Sequence, residues 1–176
     1  MLQLALDRPE LVQSLILLEP AAGGGFAVPA SEELGRQFVG PAMGAFATGD
    51  LGTAFDLFMR GVCGEGYRSV LDRHFGATGL DQAISQSAFF FRDEVPAVLE
   101  STFSAADAAR IRCPVLLAEG EESAVLGPLA RQITEAATRL LPHAEIVRVA
   151  GTNHMMPLQD PDAVARVIQS FVSRHA

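Results

Sequence analysis

The hydrophobic pattern of this chain changes period several times. The opening stretch, Leu2-Gln3-Leu4-Ala5-Leu6, has apolar residues at helical spacing and is stopped by Pro9, which cannot continue a helix interior. No Ser, Thr, Asp or Asn caps it, and the helical pattern is already running at Met1. Leu15 to Leu18 is then apolar without a break. A run this short suits a strand covered on both faces, as in a parallel sheet. Glu19 and Pro20 end it, and Gly23-Gly24-Gly25 reads as a flexible hinge. From about Val28 to about Phe103 the periodicity is helical. Helices are expected over Ser31–Ala47, Leu51–Val62, Tyr67–Phe75 and Leu80–Phe91, separated by clusters of Gly and Asp.

After Arg110 short apolar runs return. Cys113 to Gly120 predicts a second strand and Ala144 to Val149 a third. Val125 to Leu141 predicts a helix between them, with Leu126, Leu129, Ile133, Ala137 and Leu140 on one face. Gly151-Thr152-Asn153-His154 reads as a loop. Asp160-Pro161 opens the last helix, with Asp as N-cap and Pro at the first helical position. Strands alternating with helices imply a parallel sheet with right-handed crossovers. The expected fold is therefore α/β: three parallel strands, flanking helices and an all-helical insertion after the first strand. The sheet-bearing core takes residues 1–25 and 106–176, and the insertion takes 26–105.

Composition narrows the partners. With 176 residues, 49% of them hydrophobic, the chain has the makings of one packed domain carrying an insertion. Thirteen basic against 21 acidic residues give −8, and the basic residues are scattered singly. Nucleic acid and anionic membrane surfaces are therefore not expected partners. No apolar run approaches the ~18 residues of a membrane-spanning helix. Asp7 and Arg8 interrupt the N-terminal apolar stretch, so it does not read as a secretory signal. Cys63 and Cys113 have neither a metal-site spacing nor a disulfide framework around them. They read as two reduced thiols of a cytoplasmic protein that binds no metal.

Three segments resemble the C-terminal half of an α/β-hydrolase. The first is Leu4-Ala5-Leu6-Asp7-Arg8-Pro9-Glu10-Leu11-Val12 followed by Leu15-Ile16-Leu17-Leu18-Glu19-Pro20. The second runs from Ile111 to Gly120. The third, and most specific, runs from Leu141 through Gly151-Thr152-Asn153-His154 to Asp160-Pro161. The resemblance implies that His154 is the general base and acid of a serine hydrolase. It also implies that the helical insertion is a cap. The family's usual acid position is occupied here by Ser123, which has no charge to offer an imidazolium. Glu19, at the end of the earlier strand, and Glu122, in the loop after the second strand, are the alternative acids, and a site using neither stays open.

The nucleophile elbow G-x-S-x-G is absent from the chain, as is the loop supplying the second oxyanion amide. The resemblance therefore implies a chain beginning inside the nucleophile helix and inactive alone. The implied reaction is hydrolysis of a small, fairly apolar ester or related bond, with no metal or organic cofactor. The expected partners are a small apolar substrate, a missing N-terminal half, or a second copy pairing through the edge of the first strand. A binding module that keeps cap and pocket without catalysis is the competing reading.

Three other features carry less. Gly61-Val62-Cys63-Gly64-Glu65-Gly66 misses G-x-C-x-G by one position and follows a helical run, so Cys63 does not read as a nucleophile. Gly23 to Gly25 lack the Lys-Ser or Lys-Thr of a phosphate loop. Phe89, Phe90 and Phe91, with Ile84 and Met43, either line an apolar pocket or form the core of the insertion.

Overall fold

Three short apolar runs pair as parallel strands. The computed structural model describes residues 1–20, 29–126 and 128–175, and the three-glycine hinge lies outside them. Strand β1 (Leu15–Leu18) pairs with β2 (Val115–Gly120), and β2 pairs with β3 (Glu145–Val149), giving the order β1-β2-β3. The register sets Leu15 opposite Val115 and Leu18 opposite Ala118, then Leu116 opposite Glu145 and Gly120 opposite Val149. All three strands therefore end at the same edge, where Glu19, Glu121 and the loop after Val149 emerge.

Helices cover both faces. On one face Leu15, Leu17, Val115 and Leu117 pack with Ala5 and Leu6 of α1 (Leu2–Asp7), Ala108 of α8 (Ala105–Ala108) and Ala137 of α9 (Pro128–Leu140). On the other, Val149 packs with Met156 of α10 (Met156–Gln159) and Val164 of α11 (Pro161–His175), with Leu18 and Ile168 partly buried against them. Fully burying each leucine, valine or methionine side chain among these stabilises the fold by about 1.5–3 kcal/mol. Asp160 caps α11 as expected, its carboxylate accepting from the Ala163 amide at 2.8 Å.

Strand β1 is an edge. The Leu15 and Glu19 amides donate to the Pro114 and Ala118 carbonyls, both at 2.9 Å. Backbone direction alternates along a strand, so the Ile16 and Leu18 amides and carbonyls point away from β2. Among the described residues no strand meets them.

Between β1 and β2 the described residues carry helices and no strand: α2 (Pro29–Leu34), α3 (Gly40–Ala47), α4 (Leu51–Cys63), α5 (Tyr67–Phe75), α6 (Ala77–Phe89) and α7 (Val95–Glu100), followed by α8. This segment's own core holds Ala42, Ala54, Phe55, Cys63, Tyr67, Leu71, Phe91 and Val95. Two stretches widen into π-helix, Gly35–Val39 ahead of α3 and Phe90–Glu94 ahead of α7. Each precedes a proline, Pro41 or Pro96, and contains the residue four positions before it. A proline ring clashes with that carbonyl in a regular helix and offers it no N–H. The wider turn relieves both problems. The helix expected to end at Phe91 therefore runs on through Pro96 to Glu100.

The helix expected from Val125 begins instead at Pro128, after a 3-10 turn over Glu121–Leu126. Proline at the first helical position suits that start. Neither four-residue helix, α8 or α10, is long enough to show a period. The first is held by a capping box in which the Asp107 amide donates to the Ser104 side chain at 3.1 Å.

Candidate active site

Glu19 follows β1 with φ +41, the single non-glycine residue at positive φ among those described. A left-handed glutamate costs of order 1–3 kcal/mol, and such strain clusters at functional sites. Its side chain turns across the ends of the strands. Oε1 accepts from the Gly120 amide at 2.7 Å and from the Ser123 hydroxyl. Oε2 meets Nδ1 of His154 at 2.8 Å. The three partners come from the end of β2, the turn after it, and the loop after β3.

Burial raises the Glu19 pKa, but the hydrogen bonds from His154, Ser123 and Gly120, with the charge of His154, outweigh it. The carboxyl is held below its ordinary value of 4.5. A group with a depressed folded pKa contributes stability above its unfolded pKa and loses it as pH falls through the folded value. Unfolding free energy should therefore drop below about pH 4.5 more steeply in the wild-type chain than in Glu19→Gln. Urea melts between pH 7 and 3 check this, and parallel curves would contradict it.

The imidazole loop is clamped from beneath. Thr152 is 1% exposed and its hydroxyl donates to the Val149 carbonyl at 2.8 Å. The Thr152 carbonyl accepts from the Glu122 amide at 2.8 Å. Gly120 lies directly under the loop: a Cβ there would fall 2.5 Å from the Thr152 carbonyl oxygen and 2.6 Å from Asn153 Cα. Glycine is required at Gly120 for this close approach.

A carboxylate on Nδ1 selects the neutral tautomer that carries its proton there. Nε2 is left bare, and no described residue bonds it. The ring is partly open to solvent, its side chain 43% exposed against 13% for Glu19. This arrangement can take a proton at Nε2 and stabilise the resulting imidazolium.

Of the two candidate acids, Glu19 is the one beside the ring. The Glu122 side chain is exposed and forms no hydrogen bond with any described residue, while Glu121 accepts from the Gly151 amide at 3.4 Å. Ser123, read from sequence only as a missing acid, is 5% exposed and bonded to Glu19. Cys63 ends α4 close to Glu19. Burial first, then the Glu19 charge, pushes its thiol up to about 12, so it holds no thiolate near neutral pH. Phe91 is 1% exposed, and Phe90, Ile84 and Met43 pack against the same cluster. Those four form core of the insertion, while Phe89 is exposed.

Two clefts, of about 280 and 230 Å³, lie elsewhere. One is at the opposite ends of β1 and β2, beside Val12 and Arg112, and the other lies between the sheet and α11, lined by Leu116 and Phe171. Among the described residues no group of three or more His, Cys, Asp or Glu is arranged to hold a metal. No helix among them is long and apolar enough to cross a membrane.

Comparison with known proteins points one way. The model of the alpha/beta hydrolase family matches residues 1–167. The structure of MGS-M2, an alpha/beta hydrolase enzyme from a Medee basin deep-sea metagenome library, matches 98% of this chain with a TM-score of 0.70, 15% identity and 60% of its own length covered. The enol-lactonase from Burkholderia xenovorans gives 0.69, 16% identity, and 98% and 60% coverage. MenH from S. aureus gives 0.68, 16% identity, and 99% and 64% coverage. At these identities the likeness is one of fold. The chain spans about 60% of the length of these relatives. No curated protein sequence matches it.

Proposed function

The chain belongs to the alpha/beta hydrolase family, and from that premise we propose that it carries the acid–base half of a serine-type hydrolase. The observation that carries this reading is the 2.8 Å contact between His154 Nδ1 and Glu19 Oε2 at the carboxyl ends of a parallel sheet. Ligands of open α/β sheets bind at that edge. Glu19 fixes the tautomer. His154 Nε2 takes the proton of a serine hydroxyl as it attacks the carbonyl carbon, and Glu19 stabilises the imidazolium. His154 then returns the proton to the departing alcohol, and a water molecule repeats the cycle on the acyl-enzyme. No G-x-S-x-G elbow occurs in this sequence, so the serine and its oxyanion amides come from elsewhere in the assembled enzyme.

The segment 26–105 serves as the cap over this edge, and the substrate is a small, fairly apolar ester or related bond. Two free cysteines support a cytoplasmic setting. The unpaired edge of β1 supports either completion by a nucleophile-bearing half or, failing that, pairing between copies.

Mixing the chain with a nucleophile-bearing N-terminal half, and assaying a short-chain aryl ester, tests the reading. Cleavage should appear only in the mixture and vanish with His154→Ala. Sedimentation should show any oligomers of the free chain dissolving as the half is added. If no pairing yields cleavage, while a small apolar ligand binds equally to His154→Ala, the chain is a binding module instead.

A further inference from the structure

Asn153, the residue before the imidazole, joins two parts of the molecule that are far apart in sequence. Its Nδ2 donates to the main-chain carbonyl of Cys63 at 2.9 Å. Its Oδ1 accepts from the Met155 amide at 2.9 Å, and its own amide donates to Gln159 Oε1 at 2.8 Å. Its main-chain carbonyl accepts from the Met156 amide at 2.8 Å, so all four polar groups of Asn153 are engaged. Met155, on the other side of His154, is 6% exposed and belongs to the core of the helical segment with Phe55, Tyr67 and Phe91. Both neighbours of the ring are therefore anchored in the cap.

The contact at Cys63 has a specific physical basis. Cys63 is the last residue of α4, and Gly64 (φ +79) turns the chain away. Carbonyls in the last turn of a helix have no intrahelical partner and carry the negative end of its dipole. A neutral amide donor satisfies such a carbonyl, whereas a carboxylate there is repelled. Beneath the loop, Gly120 makes the opposing contact. The imidazole loop is held between the end of β2 and the end of α4.

We propose that Asn153 is a positioning residue that makes cap docking and imidazole placement one structural event. When the end of α4 is seated, the ring is held on Glu19. When the cap lifts, the loop is released and the base loses its alignment. The proposal rests on the reading of His154 as the base.

Hydrogen exchange followed by NMR on the full chain tests it in two ways. In the wild-type protein the amides of Gly64, Asn153 and Met155 should exchange through one shared opening. Asn153→Asp keeps the side-chain shape and the acceptor for Met155 but puts an oxygen against the Cys63 carbonyl. In this variant the Nδ1 proton of His154 should exchange roughly three- to tenfold faster, the span that loss of one buried hydrogen bond allows. His175, held by Glu145 at the far side of the sheet, should not change. The proposal is overturned if the Nδ1 proton of the folded variant exchanges within twofold of wild type. It is equally overturned if the loop amides stay protected while Gly64 opens, a result that stands even if the variant does not fold. If the wild-type ring carries its proton on Nε2 instead, the reading of His154 fails at an earlier step.

Discussion

Replacing Glu19 with glutamine will put the His154 ring in the wrong tautomer and reduce the turnover of a hydrolase completed around this chain by about 10⁴-fold. The direction follows from the donors around the carboxylate. The Gly120 amide can only donate, and it sits 2.7 Å from Oε1. It therefore keeps the glutamine oxygen where Oε1 was and leaves the NH₂ group facing Nδ1. An amide donor there requires a bare Nδ1, so the proton moves to Nε2 and the base has no lone pair for the nucleophile. The size is that measured when the buried acid of a serine protease triad is made an amide. The fold should survive, because shape and most hydrogen bonds are kept. Ester turnover, with a thermal melt as control, checks this. A loss of less than tenfold would remove Glu19 from the catalytic account.

Gly120→Ala should destabilise the chain by about 1–3 kcal/mol, the usual range for overpacking a tight site. The new Cβ would meet the Thr152 carbonyl oxygen at 2.5 Å, Asn153 Cα at 2.6 Å and the Asn153 carbonyl carbon at 2.8 Å. These are all main-chain atoms, so no side chain can swing aside. The loop itself must shift, and it carries His154 away from Glu19. Turnover of the completed enzyme should fall along with stability. Gly66→Ala is the control, since a Cβ there meets nothing within 4 Å and φ is −78. It should change stability by less than about 0.5 kcal/mol. Urea melts of the two variants separate crowding at Gly120 from a general effect of replacing glycine.

Much of this arrangement is legible in the sequence, for reasons that differ by element. The runs Leu15–Leu18 and Cys113–Gly120 read as buried strands because both faces of the sheet are covered, and the second forms β2 from Val115 on. Asp160-Pro161 reads as a helix start because cap and first-turn chemistry are local. Helix continuation is expected through Pro41 but not through Pro96, although a π-turn accommodates the ring at both, because a proline in the sequence does not say whether such a turn will form. Sequence alone favours Glu19 as the acid but leaves Glu122 open as the alternative. The three-strand register separates them, bringing the end of β1 beside the loop after β3 and leaving Glu122 in solvent.

Ser123 and Asn153 escape sequence reading for the same reason. Their partners, Glu19 and the Cys63 carbonyl, lie 104 and 90 positions away. One signal was available: a small polar residue at the family's acid position has to bond whatever replaces that acid.

The most direct test of the central claim is the ¹⁵N NMR spectrum of the His154 ring in the wild-type chain, taken at a pH where the ring is neutral. Nδ1 should be protonated and Nε2 bare, with Glu19→Gln reversing the two. A neutral ring carrying its proton on Nε2, unchanged by Glu19→Gln, would contradict that claim.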